Sequence, residues 1–233
     1  MTRPTLFFDA DDTLWENAVF FRAARRAWRE LMGRHGVDEE AARLCLRRLE
    51  DEGLARGAFG SGRLAANMRL AARELLGESG GRLDAECEEF ARSVREHEIR
   101  YYPGVLETLD RLALTHRLVL VTMGEEHEQR GKLARAEVVT RFAGIEVIAD
   151  KTSAVYESLH ARHGGEVASW MIGNSPSKDV GPARAAGLVT VLFDNGAPLP
   201  PYFRDDATAP HHVVSSFAGL LDLPGFGEAS RPA

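Results

Sequence analysis

One apolar strand, residues 4–9, is separated from the next, residues 117–122, by a block whose pattern is almost wholly helical. That interruption restricts the possible folds more than any other feature. From Tyr101 onward, short apolar strands alternate with helices. The strands fall at 117–122, 145–149, 169–173 and 189–193, with another near 213–215; the helices fall at 103–114, 129–141, 152–163 and 178–186. Parallel strands need crossovers, and helical crossovers cover both faces of the sheet. The stretch from 16 to 100 is too long for a crossover. It therefore reads as an inserted, all-helical subdomain. The expected organisation is an α/β core of residues 1–15 and 101–233 and a helical domain of residues 16–100. Inside that domain Phe20, Ala24, Trp28 and Leu31 recur at helical spacing. Glycines 57, 60 and 62, then the run 77–81, break it into helical hairpins.

The first strand ends in carboxylates: Leu6-Phe7-Phe8-Asp9-Ala10-Asp11-Asp12-Thr13-Leu14-Trp15. Acids crowded at the end of a buried strand repel one another and lose hydration, so they persist mainly where a cation or a reaction needs them. Side chains alternate along a strand, so Asp9 and Asp11 can address one site. In parallel sheets, sites form at the carboxyl ends of strands. Three later strand ends are also polar. One gives Thr122 with Met123-Gly124-Glu125, one is followed by Asp150-Lys151, and one gives Gly173-Asn174-Ser175-Pro176-Ser177-Lys178-Asp179. Together they supply carboxylates for a hard cation, a hydroxyl, an ammonium and backbone amides, the parts needed for phosphoryl transfer. The plain alternative is helix capping, which Asp11, Asp12 and Thr13 all do well. Asp12 reads as a loop or hinge residue.

Bulk properties narrow the field. The net charge of -6 argues against a nucleic-acid partner, which usually meets a basic surface. The helical block is electrically balanced, so the negative charge belongs to the α/β core. The two cysteines, Cys45 and Cys87, lie in helical pattern and read as core residues rather than a disulfide or zinc site. Histidines 160, 163, 211 and 212 lack metal spacing and read as surface residues, and Trp15, Trp28 and Trp170 as packing residues. Met1-Thr2-Arg3-Pro4 leads into a strand, not a secretory signal, and no apolar stretch is long enough to span a bilayer. A cytoplasmic enzyme without a membrane partner is the expectation.

The ordered set of Asp-x-Asp-x-Thr after a strand, a strand ending in Thr, a later Lys, and Gly-Asn-x-x-x-x-Asp resembles the four motifs of haloacid dehalogenase-like hydrolases. Gln129-Arg-Gly-Lys132-Leu133 with Arg141-Phe142, and Gly181-Pro-Ala-Arg-Ala-Ala-Gly187, are similar to that family's connecting stretches. The resemblance covers residues 5 to 195. It implies a Rossmann-like parallel sheet with helices on both faces and identifies the helical block with a C1-type cap. It also implies roles. Asp9 would be the nucleophile and Asp11 the proton carrier. Mg²⁺ would be held by Asp9, the Asp11 backbone carbonyl and Asp179. Thr122, the amides near Met123 and Gly124, and Lys151 would bind phosphate, and Asn174 would ligate through water or orient Asp179. The sequence departs from the pattern at Asn174, often Asp, at Asp12, often Gly, and at Thr152, where Pro is common.

The only lysines are Lys132, Lys151 and Lys178, each beside a motif in an arginine-rich chain. Lys151 is expected to be the phosphate ammonium, Lys132 a solvated or capping charge with replacement of Lys151 as its alternative, and Lys178 a partner of Asp179 or a helix-start residue. Asp11 argues against haloacid dehalogenation, which does not need a second acid two residues on. The lysine-free insert excludes a cap Schiff base of the phosphonate-cleaving kind. The expected function is Mg²⁺-dependent phosphomonoester hydrolysis of a small phosphorylated metabolite through an aspartyl-phosphate. A phosphomutase, and a non-catalytic phosphate-binding regulatory protein, are the alternatives. The loop 57–62 reads equally as an element reaching toward substrate and as a plain turn.

Overall fold

The structure, a computed structural model, describes residues 3–54, 60–164, 168–199, 201–205 and 207–226. It divides the chain into two compact units, residues 1–16 with 99–233, and residues 17–98. The first is built on six parallel strands: β1 Thr5–Phe8, β2 Arg117–Met123, β3 Gly144–Ile148, β4 Ser169–Gly173, β5 Val189–Phe193 and β6 His212–Val214. Their order is β3-β2-β1-β4-β5-β6. This is the doubly wound order of the Rossmann fold, and the order reverses between β1 and β4, where ligands settle in such sheets.

Strand periodicity divides the core between two faces. Leu6 and Phe8 join Leu118, Leu120, Ile172, Val191 and Phe193 on one face. Phe7 joins Val119, Val121 and Met171 on the other. The first face is covered by helix α5 (Val105–Leu112), through Val105, Leu109 and Leu112, with Phe217 and Leu220 from near the carboxyl end. The second is covered by α7 (Ser153–Leu159), through Tyr156 and Leu159, and by α8 (Gly181–Ala185), through Ala183. β1 is the most enclosed strand: all four of its residues are buried. Burying a side chain such as Phe7 or Phe8 stabilises by about 1.5–3 kcal/mol.

The second unit holds α1 (Ala18–Arg34), α2 (Glu39–Leu54), α3 (Ser61–Leu76) and α4 (Asp84–Arg95). It has its own apolar core, with Trp28, Met32, Leu46, Leu64, Met68 and Cys87 at its centre. Through residue 59, the loop expected at 57–62 lies outside the described residues.

One expected helix is broken. Helix α6 begins earlier than the periodicity predicts, at Glu126, and stops at Leu133. The backbone turns extended at Ala136 (φ -90°, ψ 110°), and a short 3₁₀ turn follows at Glu137–Arg141. The turn lets Val138 enter the core, with its amide donating to Tyr101 Oη at 3.2 Å. Packing of one apolar residue outweighs continued helix here.

Candidate active site

Asp9 follows β1 directly and keeps the sheet ladder, its amide donating to Ile172 O at 2.9 Å. The chain then folds back sharply. Asp12 takes a left-handed conformation (φ 60°), which Asp tolerates better than most residues. Its amide donates to Trp15 O at 2.7 Å. The turn buries Thr13, whose hydroxyl donates to Asp9 Oδ2 at 2.8 Å and stands 3.4 Å from Asn174 Oδ1. Thr13 is therefore a partner of Asp9 rather than a helix cap.

Lys151, at the end of the β3 connection, is buried and reaches Asp9 Oδ1 and Asp179 Oδ1, each at 2.5 Å. Thr152 caps α7 by accepting the Val155 amide at 3.3 Å, so the lysine stands just before a fixed helix start. Asp179 is placed from β4. Ser175 accepts the Lys178 amide at 3.2 Å, and the Ser175 amide donates to Asp179 Oδ2 at 2.9 Å. Gly173 makes room for this: a Cβ there would lie 2.3 Å from the Asp179 carboxyl. The Asn174 side chain meets Thr13, and among the described residues it makes no hydrogen bond to Asp179.

Electrostatics follow from burial. Desolvation pushes the Asp9 carboxyl up to about 7; Lys151 pulls it down, while the charge of Asp179 pushes it further up. Burial disfavours the Lys151 charge, but Asp179 and Asp9 outweigh it and raise its pKa. Tyr156, buried beside these acids, donates to Lys178 O at 3.2 Å. Burial and the charges of Asp179 and Asp9 push its phenol well above the usual range.

Asp11 is held differently. It is one-fifth exposed, and both oxygens are engaged. Trp15 Nε1 donates to Oδ1 at 2.8 Å, Gln129 Nε2 to Oδ2 at 3.3 Å, and Lys132 Nζ to Oδ2. Burial opposes ionisation, but the Lys132 charge and these hydrogen bonds hold the carboxyl below its ordinary value. The expectation for Lys132 is thus corrected: it is 2% exposed and paired with Asp11, not solvated or capping. Its helix, α6, turns it inward. Of the two placements expected for Lys178, the helix start is the one found, its amide capped by Ser175; its ammonium pairs with Asp150 at 2.8 Å and lies over the Tyr202 ring, 4.6 Å from the centroid, not with Asp179.

Thr122, at the end of β2, donates its hydroxyl to Gln129 Oε1 at 3.0 Å. Gln129 also donates to the Met123 carbonyl at 3.2 Å. The Gly124 amide closes the β2–β3 ladder on Ile148 O at 3.1 Å, so it is engaged in the sheet rather than open to a ligand. Gly124 has φ 147°, and a Cβ there would come within 2.8 Å of Gln129 Nε2. Gln129 therefore joins the Thr122 and Asp11 strand ends.

The structure thus gathers Asp9, Asp179 and Lys151 in one cluster and Asp11, Lys132, Trp15, Gln129 and Thr122 in an adjoining one. The sequence reading missed Gln129, Trp15 and Tyr156 as site residues, and it weighed Lys132 only as a substitute for Lys151, not as the partner of Asp11. The scarcity of lysine was the one available signal for Lys132. Histidines 160 and 163 are also half-buried and bonded, to Ser169 at 2.9 Å and Glu146 at 2.6 Å, not free surface groups. Both cysteines are free thiols with pKa values raised by burial, Cys87 to about 11.

A profile of the haloacid dehalogenase-like hydrolase family matches residues 6–181. The chain belongs to that family. A second profile, HAD-hydrolase-like, matches residues 149–220 of this haloacid dehalogenase-like hydrolase. No curated protein gives a significant sequence match. Among solved structures, a haloacid dehalogenase-like family hydrolase from Xanthomonas campestris is 23% identical with a TM-score of 0.75, covering 94% of this chain and 88% of its own. A 2-haloacid dehalogenase from Pseudomonas syringae pv. Tomato is 22% identical with a TM-score of 0.62, covering 95% and 97%. A HAD phosphatase from Thermococcus onnurineus is 20% identical with a TM-score of 0.62, covering 94% and 96%. At these identities the likeness establishes the fold. Since a dehalogenase and a phosphatase both share it, the fold does not select the reaction. No helix among the described residues is long and apolar enough to cross a membrane.

Proposed function

We propose that this haloacid dehalogenase-like hydrolase is a Mg²⁺-dependent phosphomonoesterase acting on a small phosphorylated metabolite. The observation that carries the reading is the pair of acids, Asp9 and Asp11, at one strand end with different partners. Without metal or substrate the two carboxyls diverge in the sense opposite to these roles, Asp9 raised and Asp11 lowered, so the roles require a cation beside Asp9 and substrate beside Asp11 to reverse them. Dehalogenation has no use for the second acid.

The donor set suits a hard cation. Asp9 and Asp179 are two carboxylates that share one cation, the Lys151 ammonium, through Oδ1 atoms at 2.5 Å each, and a metal would have to take these oxygens from it. Among the described residues no group of three or more His, Cys, Asp or Glu side chains is arranged to hold a metal. Mg²⁺ would therefore rest on these two carboxylates, the Asp11 backbone carbonyl and water. Bound there, it supplies positive charge that favours ionised Asp9 and offsets the charge of the phosphoryl group.

Asp9 attacks phosphorus and the bond to the leaving oxygen breaks, giving an aspartyl-phosphate. Asp11 donates a proton to the leaving oxygen, and then takes one from the water that hydrolyses the intermediate. In this structure Lys132, Trp15 and Gln129 hold Asp11 ionised, so the donor role requires substrate to relax that hold. Lys151 and the Thr122 hydroxyl bind phosphate oxygens. The helical unit, read as a C1-type cap, selects the substrate.

Phosphate release from aryl phosphates, with Mg²⁺ and with a chelator, tests this. Activity should need Mg²⁺ and vanish in Asp9→Asn. Asp11→Asn should lose most on esters with poor leaving groups. Retained activity in Asp9→Asn, or halide release from a 2-haloacid in place of phosphate release, would overturn the reading.

A further inference from the structure

The end of the sheet opposite the carboxylates holds a cavity of about 600 Å³. Its charged or titratable lining consists of Arg3, His116, Arg117, Arg141, Arg162 and His163, and no acidic residue lines it among the described residues. This concentration is unusual in a chain of net charge -6. The fold brings the cations together at strand starts: the Arg117 amide donates to Pro4 O at 2.9 Å, and Thr5 stands in register with Arg117. Gly144, at the start of β3, leaves room for the His163 ring, since a Cβ there would lie 3.1 Å from it.

Three of these groups are answered by acids outside the lining. Arg141 holds Asp110 through two contacts of 2.7 and 3.1 Å. Arg162 and His163 share Glu146, at 3.2 and 2.6 Å. Arg3 and Arg117 form no ion pair among the described residues. Arg3 donates to Ala113 O at 3.2 Å, and Arg117 stands 3.5 Å from His163 Nδ1. Arg141 and Arg162 are thus offset by their own acids, and burial lowers the pKa of His116, so the uncompensated positive charge facing the cavity, among the described residues, is that of the Arg3 and Arg117 guanidinium groups, which an entering anion would offset. The planar fork of arginine suits phosphate and carboxylate oxygens, and the volume suits a small organic molecule.

We infer that this cavity is a second ligand site, for a small organic polyanion bearing phosphate or carboxylate groups, held by Arg3 and Arg117. The site is separate from the carboxylate cluster. Arg117 and Thr122 stand at opposite ends of β2, about 17 Å apart by strand rise. Occupancy of the cavity therefore does not require the reaction proposed for Asp9.

The test uses inorganic pyrophosphate as probe, added to the full ¹⁵N-labelled chain in chelator, with amide shifts read by NMR. Saturable shifts are expected at residues 113–118, 143–144 and 160–164. Arg3→Gln with Arg117→Gln should weaken those shifts about tenfold or more, the loss of two charge-assisted contacts. Both arginines are exposed, so the variant should fold; Arg117→Lys, which keeps the charge, should retain part of the affinity. Three results would each overturn the inference: no saturable binding, binding unaffected by the double substitution, or shifts confined to residues 9–15, 122–125 and 173–179.

Discussion

Lys132→Met removes the cation that answers Asp11. Breaking one side of a fully buried pair costs about 3–5 kcal/mol, mainly because the other charge stays behind unpaired. Asp11 is one-fifth exposed and keeps its bonds from Trp15 and Gln129, so the loss should fall lower, at about 2–3 kcal/mol. For a unit of this size that is a drop in melting temperature of roughly 4–12 °C. Thermal melts of Lys132→Met, Asp11→Asn and the double variant complete a cycle, which should give a coupling energy above about 1 kcal/mol. The pH dependence has a definite sign. Asp11 is held below its ordinary value of 3.8 in the folded state. The stabilisation is therefore complete above that value and fades as pH falls through the lowered one. Parent and variant should converge in acid. A variant that melts within a degree of the parent at neutral pH, or a coupling under about 0.5 kcal/mol, would refute the pairing as a structural force.

Two further outcomes follow from the same geometry. Gly173→Ala places a Cβ 2.3 Å from the Asp179 carboxyl; it should cost about 1–3 kcal/mol by denaturant titration and cut phosphate release more than any effect on melting accounts for. Without metal, burial raises folded Asp9 from 3.8 to about 7, so ionising it costs stability as pH rises across that interval and not below it. Asp9→Asn, which resembles the protonated acid, should therefore stabilise the chelated protein near pH 8 by no more than about 4 kcal/mol, leave it unchanged in acid, and lose this advantage when Mg²⁺ is added; an equal shift at both pH extremes would contradict it.

Much of the sheet was legible because its code is local. Strands 169–173 and 189–193 were placed to the residue, since short apolar runs bounded by Gly or by polar residues have few other readings. The helix expected over 129–141 failed because its break at Ala136 answers a distant demand, the burial of Val138 beside Tyr101. The same division runs through the site. Asp9, Asp179 and Lys151 could be picked out by order and spacing, because strand ends in a parallel sheet converge. Trp15 and Gln129 could not, because nothing in an indole or an amide marks it as a partner of Asp11 before the chain folds back at Asp12.

By itself, the sequence determined that a parallel sheet is interrupted by a helical insert and that acids, a threonine and a lysine stand at its strand ends. Period-two and period-3.6 burial fix such features from neighbouring residues alone. Only the tertiary structure decided which cation answers which acid. Lys151 meets Asp9 and Asp179, while Lys132 meets Asp11 and Lys178 turns to Asp150. Charge pairing acts over a few ångströms between residues 28 to 142 positions apart, and it is set by tertiary packing and burial that no local pattern records.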